Sequence, residues 1–269
     1  MKKLISVFAG LLLAGLLASP ASAQDDSDVY VLHGIPGVTV DVYVNGDLTL
    51  EDFAPEAIAG PLSLPAGTYD IEIFAADADP AADTPVIDVS PAVPGGESVS
   101  VIAHLSESGD PTLSAFVNDL SNTGAGNGRV TVRHTAAAPA VDIVAGGAAV
   151  DGFTNLSNPN EAVGELPAGA YPTGIAATGT TDVLFDAPLN VGEGTNTIVY
   201  AFGDLAGGSF GLLAQSFDGL HSAPAAVNTG NSGLLADSEG SSLTLIAAGL
   251  AGAGLLLSVP AVRARRVRA

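Results

Sequence analysis

The feature that most constrains the fold of this chain is an internal repeat. Residues Val29–His33 (VYVLH) recur as Val130–His134 (VTVRH), shifted by 101 residues. Further along, Leu64–Tyr69 (LPAGTY) recurs as Leu166–Tyr171 (LPAGAY), shifted by 102 residues. A repeat of this length matches the size of a small domain. It predicts two tandem domains of the same architecture.

Each copy shows the pattern of short β-strands. Residues 38–44 carry valine at every second position, with polar or aromatic residues between them. This alternation is typical of a strand with one face in a core. Residues 69–74 alternate in the same way, and residues 99–105 and 197–202 are rich in β-branched side chains. No amphipathic helix is indicated in the body of the chain.

Turn residues separate these segments, among them Asn45-Gly46, Pro94-Gly-Gly96 and Gly146-Gly147. About seven strands per copy predict an all-β fold, with two tandem antiparallel Greek-key, Ig-like β-sandwich domains. A small β-barrel in each copy is the alternative.

The two ends of the chain differ from this body in composition. The predicted division is a signal peptide at 1–23, a first β domain at 24–120, a Gly/Asn/Ser linker at 121–128, a second β domain at 129–219, a stalk at 220–242, a transmembrane helix at 243–262 and a basic tail at 263–269.

The N-terminal segment has the three parts of a secretory signal peptide. Lys2 and Lys3 precede an apolar run, and Ala21-Ser-Ala23 supplies small residues where a signal peptidase requires them. Cleavage is expected after Ala23. The mature protein would then begin at Gln24.

The C-terminal segment 243–262 has 20 uncharged residues and is long enough to cross a bilayer as a single helix. Four arginines follow it, at 263, 265, 266 and 268. Positive charge stays on the cytoplasmic side of a membrane. The expected location is therefore the cell membrane, with the β domains outside and the C-terminus in the cytoplasm. Cell-wall attachment is the alternative, although no LPxTG-type motif precedes the helix.

The charge of the body limits its partners. The chain has 29 acidic residues, all between the two end segments, where Arg129 and Arg133 are the basic residues. Such a surface repels phosphates, so nucleic acid is not an expected partner. An extracellular protein, a glycan or a cation would be compatible with it. The chain has no cysteine, which excludes thiolate catalysis and cysteine-bound metals.

The V-x-V-x-H opening, the following V-D-V/I strand and the L-P-A-G-x-Y element together resemble the DUF4397 domain of bacterial surface proteins. The resemblance covers residues 28–119 and 129–218. The second copy departs from the pattern at Ala136–Pro139, where the first has Gly34–Gly37. The resemblance implies a β-rich surface module, with a signal peptide, paired domains and an anchor as in actinobacterial members, and it transfers no catalytic residues.

Two histidines and two aspartates occupy equivalent places in the copies. His33 and Asp41 in the first correspond to His134 and Asp142 in the second. Each histidine could face its aspartate across neighbouring strands. Such a pair could perform acid–base chemistry or supply half of a metal site. A hydrogen-bonded structural pair at a sheet edge is favoured.

The repeated LPAG-x-Y element has a structural interpretation. The proline and Gly67 or Gly169 bend the chain, and Tyr69 or Tyr171 then begins a strand with its ring over the edge of the core. The element therefore marks a turn and not a reactive group.

Three carboxylates, Asp77, Asp79 and Asp83, lie close together in one predicted loop. Closely spaced oxygen ligands suit Ca²⁺, although the glycine and terminal glutamate of an EF-hand are missing. A polar hairpin tip without a metal is the alternative. No other cofactor is expected.

These observations predict a non-catalytic cell-surface protein that serves in envelope structure, adhesion or ligand display. The alternative is a surface module or sensor that binds a cation or a glycan. A hydrolase that uses pairs of the His33–Asp41 type is the third and least favoured hypothesis, because no nucleophile motif accompanies the pairs.

Overall fold

A computed structural model describes residues 25–221 of the chain, and these form β-strands and turns without a helix. The all-β prediction is therefore confirmed for this range. No helix among these residues has the length and apolar character that a membrane span requires. The predicted signal peptide, transmembrane helix, basic tail and most of the stalk lie outside the described residues.

The strands fall into two sets of ten. The first half contains β1 (Ser27–His33), β2 (Val40–Val44), β3 (Asp47–Phe53), β4 (Ile58–Leu64), β5 (Gly67–Thr68), β6 (Ile71–Ala75), β7 (Ile87–Val89), β8 (Ala92–Val93), β9 (Ser98–Leu105) and β10 (Pro111–Val117). The second half contains β11 (Asn127–His134), β12 (Val141–Ala145), β13 (Ala148–Ala149), β14 (Glu161–Pro167), β15 (Gly169–Tyr171), β16 (Thr173–Ala177), β17 (Val183–Asp186), β18 (Leu189–Val191), β19 (Asn196–Phe202) and β20 (Gly211–Phe217).

The sheets of the two halves have the same strand order. In the first half the orders are β10-β9-β1-β4, β3-β2-β6-β7 and β5-β8. In the second half they are β20-β19-β11-β14, β13-β12-β16-β17 and β15-β18. Each strand thus has a counterpart ten places later. Among residues 25–221 the strands form separate open sheets, which is consistent with a sandwich, and none of these sheets closes into a barrel.

One pairing in each half departs from the antiparallel prediction. Strand β1 runs parallel to β9, and β11 runs parallel to β19, while the other ladders between named strands are antiparallel. A parallel pair requires a long connection that returns the chain to the same edge. Here that connection contains the whole second sheet of each half, so local alternation could not reveal it.

The hairpins that join β2 to β3 and β12 to β13 use the turn chemistry that the sequence indicates. Asn45 and Gly46 have φ angles of 53° and 83°, and Gly146 and Gly147 have φ angles of 58° and 81°. Two consecutive residues with positive φ are the requirement of a type I′ turn, which matches the twist of the flanking strands.

Each half has an apolar core between its two four-stranded sheets. In the first half Val40 and Val42 of β2 are buried against Ile73 of β6. In the second half Val141 of β12 and Ile175 of β16 occupy the corresponding core. The alternation predicted for residues 38–44 is confirmed from Val40 onward, because Val38 is exposed and precedes the strand.

A further apolar cluster joins the two halves. Leu32 and Ile102 of the first half pack with Ile198 and Tyr200 of the second, and all four side chains are buried. These residues lie on the outer faces of the sheets that contain β1 and β11. Both sheets are therefore covered on two sides, which explains why nearly every residue of β9 and β11 is buried.

The segment predicted as a Gly/Asn/Ser linker at 121–128 makes close contacts with the second half. Strand β11 already begins at Asn127. The amide of Gly126 donates a hydrogen bond to Glu193 Oε1 at 3.0 Å. At Gly128 an added Cβ would lie 2.1 Å from the carbonyl oxygen of Gly192. This glycine permits a close approach of two backbones, so its presence does not indicate flexibility.

The contacts of the folded body continue past 219, where the second domain is predicted to end. Leu220 is buried, and its carbonyl accepts a hydrogen bond from the Thr123 amide at 2.7 Å. His221 forms an isolated bridge with Thr123. The first two residues of the predicted stalk are therefore part of the folded body.

Candidate functional site

The repeated histidines form the first candidate site, and each holds the loop that follows its own strand. His33 is fully buried at the end of β1. Its Nε2–H donates to the Val38 carbonyl at 2.7 Å, and its Nδ1 accepts from the Ile35 amide at 3.4 Å. The ring also stacks on Phe53 with 5.8 Å between centroids. The imidazole thus supplies a donor and an acceptor to backbone groups of the β1–β2 loop.

His134 makes the same bonds in the second half. Its Nε2–H donates to the Pro139 carbonyl at 3.0 Å, and its Nδ1 accepts from the Ala136 amide at 3.4 Å. Burial lowers the pKa of both His33 and His134 below the ordinary value for histidine, because the charged ring loses its hydration. The motif V-x-V-x-H is therefore a loop anchor that uses a neutral imidazole.

The interpretation in which each histidine faces its aspartate across neighbouring strands is wrong. His33 lies on β1 and Asp41 on β2, and these strands belong to different sheets. The sequence separation was compatible with adjacent strands of one sheet, but the chain crosses to the opposite layer between them. His134 and Asp142 are separated in the same way.

The two aspartates instead accept hydrogen bonds from backbone amides. Asp41 Oδ1 accepts from the Asp52 amide at 2.8 Å, and Asp142 Oδ1 accepts from the Asn155 amide at 2.7 Å. A second bond runs from the Gly179 amide to Asp142 Oδ2 at 2.9 Å. Hydrogen bonds from Asn155 and then Gly179 lower the pKa of Asp142, because they favour the charged carboxylate.

The repeated tyrosines close the LPAG-x-Y turn on itself. The Tyr69 hydroxyl donates to the Pro65 carbonyl at 2.8 Å, and the Tyr171 hydroxyl donates to the Pro167 carbonyl at 2.7 Å. Both rings are half-buried and pack against the edges of the cores. Gly67 lies beside the Tyr69 ring, where a Cβ would come 3.7 Å from Cε2. Each hydroxyl is thus engaged within its own turn.

The three carboxylates proposed for Ca²⁺ are not assembled into a metal site. Within residues 25–221 no group of three or more His, Cys, Asp or Glu residues has the arrangement of metal ligands. Asp83 Oδ2 accepts from the Asp79 amide at 2.9 Å, and Asp79 Oδ1 accepts from the Ala81 amide at 3.0 Å. These carboxylates cap a tight exposed turn, and Asp77 is exposed beside it.

The sequence pattern missed a buried polar network between the halves, with Arg133 at its centre. Only 1% of the Arg133 surface is exposed. Its Nη1 donates to Asn118 Oδ1 at 3.0 Å and to the Tyr200 hydroxyl at 2.6 Å. Its Nε pairs with Glu161 Oε2 at 2.8 Å, and its guanidinium carbon lies 4.5 Å from the centre of the Phe116 ring. The charge is thus enclosed by partners from both halves.

Arg129 joins the halves at the other end of the same strand and is 4% exposed. Its Nη1 donates to the carbonyls of Asp119 and Ser121 at 2.9 and 3.0 Å. It also pairs with Glu165 at 3.3 Å. Arg129 and Arg133 lie four residues apart on β11, on one face of that strand. Between the two end segments the sequence has 29 acidic residues and these two arginines. Their scarcity was the sequence feature that could have indicated a structural role for them.

Neutral groups complete this network. Ser100 Oγ donates to Gln215 Oε1 at 2.9 Å, and the Tyr200 hydroxyl donates to the same oxygen at 3.1 Å. Asn118 Nδ2 donates to Ser98 Oγ at 3.0 Å. Burial raises the pKa of Tyr200. Within the described residues the arrangement satisfies most of its own donors and acceptors, which is the behaviour of an interface that fixes orientation.

A third buried imidazole, His104, lies on β9 near the junction of the halves. Its Nδ1–H donates to the Leu105 carbonyl at 2.9 Å, and its Nε2 accepts from Ser114 Oγ at 2.8 Å. The Leu105 carbonyl also accepts from Asn158 of the second half at 2.8 Å. Burial lowers the pKa of His104. Its ring nitrogens are therefore occupied, like those of His33 and His134.

A comparison with family models gives one match. Residues 27–144 match the family described as a domain of unknown function, DUF4397. The match confirms the resemblance that the repeated motifs indicate for the first half, and it continues through β11 to Val144 of β12. No curated protein matches the chain.

Proposed function

We propose that the protein is a non-catalytic surface scaffold, which presents an acidic exterior for envelope structure, adhesion or ligand display. One observation carries the proposal. Arg129, Arg133, His33, His104 and His134 are all buried and hydrogen-bonded inside the molecule. These two guanidinium and three imidazole groups, which could otherwise act on a substrate, are thus used for internal structure, and acidic groups outnumber basic ones on the surface of residues 25–221.

The joint between the halves supports a role in display. A scaffold must hold its binding surface at a fixed distance and angle, which a flexible linker would not do. Here the halves share an apolar cluster, and the network around Arg133 specifies their relative orientation. Long-range attraction by the acidic surface would favour cationic partners, such as a basic patch on an extracellular protein or a polyamine.

The two halves are proposed to be copies of one Greek-key, Ig-like domain, at 24–120 and 129–219. Their ten-for-ten strand order and their equivalent histidine, aspartate and tyrosine bonds support a duplication. We further propose a bacterial surface protein of the actinobacterial type; this rests on the resemblance of the repeated motifs, since the DUF4397 match itself covers residues 27–144 of a domain of unknown function. The proposed topology is a signal peptide, an exterior pair of domains, a stalk and one membrane helix.

The location can be tested with an epitope tag inserted in the exposed turn between Asp79 and Asp83, in the full chain expressed in a bacterial host. Antibody labelling of intact cells is expected. A tag of the same sequence added after Ala269 serves as the matched control, and it should be labelled only after the membrane is permeabilised. Labelling of both tags only after permeabilisation would contradict the proposed exterior location.

The concentration of carboxylates favours a second candidate, a cation-responsive surface module. Thermal unfolding of residues 24–240 in millimolar Ca²⁺, compared with Na⁺ at equal ionic strength, separates the two functions. A scaffold responds equally to both salts, because the ions only screen its charge. A rise in Tm specific to Ca²⁺ would favour the cation-binding module, since a ligand that binds the folded state raises its stability.

A further inference from the structure

The core of the second half contains a cavity that its counterpart in the first half nearly lacks. The cavity between the sheets of the second half has a volume of about 260 Å³. The equivalent space in the first half measures about 50 Å³. An engineered apolar cavity of about 150 Å³ in another protein stays dry and binds benzene. The larger space is therefore sufficient for a small organic molecule.

The halves have side chains of different size at two equivalent positions, which contributes to the difference in cavity volume. Val44 on β2 pairs with Ile71 on β6 in the first half, and both side chains pack against its core. At the same register position in the second half, Ala145 on β12 pairs with Thr173 on β16. Both pairs line their respective cavities. The smaller side chains remove volume at one end of the core without changing the strand pairing.

The lining determines which chemistry the cavity can accept. It consists mainly of apolar side chains, among them Val199, Ile175 and Leu212. The two hydroxyls near it are already engaged, because Thr173 Oγ1 donates to the Ala187 carbonyl and the Tyr171 hydroxyl donates to the Pro167 carbonyl. Neither of these hydroxyls has a hydrogen free to donate to a ligand, so a ligand acceptor such as a carboxylate buried there would stay unpaired, which is unfavourable.

The entrance adds a charge preference. Ala145, Thr173 and Ala187 are half-buried, so this end of the cavity approaches the surface. Asp186 is exposed beside Thr173 at the same rim. The surrounding surface is acidic, which disfavours an anionic head group at the entrance.

We propose that the second half binds an uncharged hydrocarbon group in the cavity between its two sheets, entering past Ala145 and Thr173. The first half, whose core is filled at the same position, does not bind it. The two halves would therefore differ in function, because only the second binds this ligand. It does not depend on the proposed scaffold function.

The test uses residues 24–221 with ¹³C-labelled methyl groups, titrated with 1-hexanol and, separately, with hexanoate. Saturable NMR shifts are expected for the methyl groups of Ile143, Ile175 and Leu212. The methyl groups of Ile71 and Ile73 in the first half are the internal control and should stay unchanged. Hexanoate, which has a chain of the same length and a negative charge, should bind at least several-fold more weakly.

Two variants show whether the cavity itself is responsible. The double variant Ala145→Val/Thr173→Ile introduces the residues of the first half and should abolish the saturable shifts. Thr173→Val keeps the volume and removes only the hydroxyl, so binding should persist. The single variant Ala145→Val provides a milder filling if the double variant does not fold. Equal shifts in both halves, shifts that never saturate, or undiminished binding by the filled variants would overturn the proposal.

Discussion

At the scale of single residues, the two halves agree where a side chain serves its own loop and differ where it faces the other half. His33 and His134 make the same two hydrogen bonds. The residues just before them are Leu32 and Arg133, which point to the opposite face of the strand. Leu32 enters the apolar cluster, whereas Arg133 enters the polar network. The joint is therefore built from two different, complementary surfaces.

Replacement of Arg133 by methionine is expected to lower the free energy of unfolding by about 3–5 kcal/mol, because it leaves buried partners such as Asn118 and Tyr200 without their donor. Urea unfolding measures the change. The matched control is Glu161→Gln, which alters the partner at the surface, where 35% of the side chain is exposed. Gln keeps an acceptor for Arg133 Nε but removes the counter-charge of the buried guanidinium, so this change should cost about 1–3 kcal/mol, less than the loss of Arg133 itself. Equal losses in the two variants would contradict the central role of the buried network.

At the scale of elements, three connections depend on neutral imidazoles. His33 holds the β1–β2 loop, His134 holds the β11–β12 loop, and His104 lies at the end of β9. Burial lowers the pKa of each ring. The unfolded chain therefore binds more protons than the folded chain below the ordinary histidine value. Protonation must then weaken these connections.

Stability is expected to be complete above about pH 6.5, the ordinary histidine pKa, and to fall as the pH drops toward the lowered values in the folded state. Each histidine contributes up to about 1.4 kcal/mol per pH unit. Carboxylates of ordinary pKa remain ionised down to about pH 5, so this window reports mainly on the histidines.

Urea unfolding at pH 7.5, 6.5, 6.0 and 5.5 tests this dependence. The His33→Gln variant removes one titrating ring and should show a shallower decline than the parent protein. A His221→Gln variant is the matched control, because His221 is exposed and makes no loop-anchoring bond of this kind. A decline of identical slope in all three proteins would rule out the buried imidazoles as its cause.

At the scale of the whole molecule, the sheets that contain β1 and β11 each have a core on both sides. Apolar clusters occupy the space within each half and the space between the halves. Removal of either half would expose Leu32 and Ile102, or Ile198 and Tyr200, to water. The burial of these side chains therefore couples the stability of one half to that of the other.

Residues 24–221 are thus expected to unfold in a single calorimetric transition. The substitution Ile198→Asp places an unpaired charge in the joint and should lower the Tm by several degrees or more, or separate the transition into two. Val183→Asp is the control, because Val183 is exposed at 50% on the outer edge of the second half and should tolerate the change. Two resolved transitions in the unsubstituted protein would contradict the coupling.

Much of the local structure could be predicted from residues that are neighbours in the sequence. Alternating valines indicated β2, and Asn45-Gly46 and Gly146-Gly147 specified the type I′ turns. The repeated histidine, aspartate and tyrosine positions make matching hydrogen bonds in the two halves. These features depend on steric limits and hydrogen bonds over short distances, so a short segment contains the information.

Other features could not be predicted from local patterns, because they depend on which sheet a strand joins and on which backbone approaches a segment. Gly128 suggested flexibility, but it allows contact with the backbone of Gly192. The sequence allowed His33 and Asp41 to lie on neighbouring strands, yet the chain crosses to another sheet between them. The composition of a segment does not indicate which distant backbone will approach it.

The sequence by itself determined the strand content, the turns, the repeat and the acidity of the body. Only the tertiary structure decided that β1 runs parallel to β9, that Arg129 and Arg133 are buried, and that the second core retains a cavity. The physical reason is the range of the interactions. Alternation shows that a strand has two faces. What covers the outer face, and how completely a core is filled, depends on side chains from distant segments, as where Leu32 packs with Ile198.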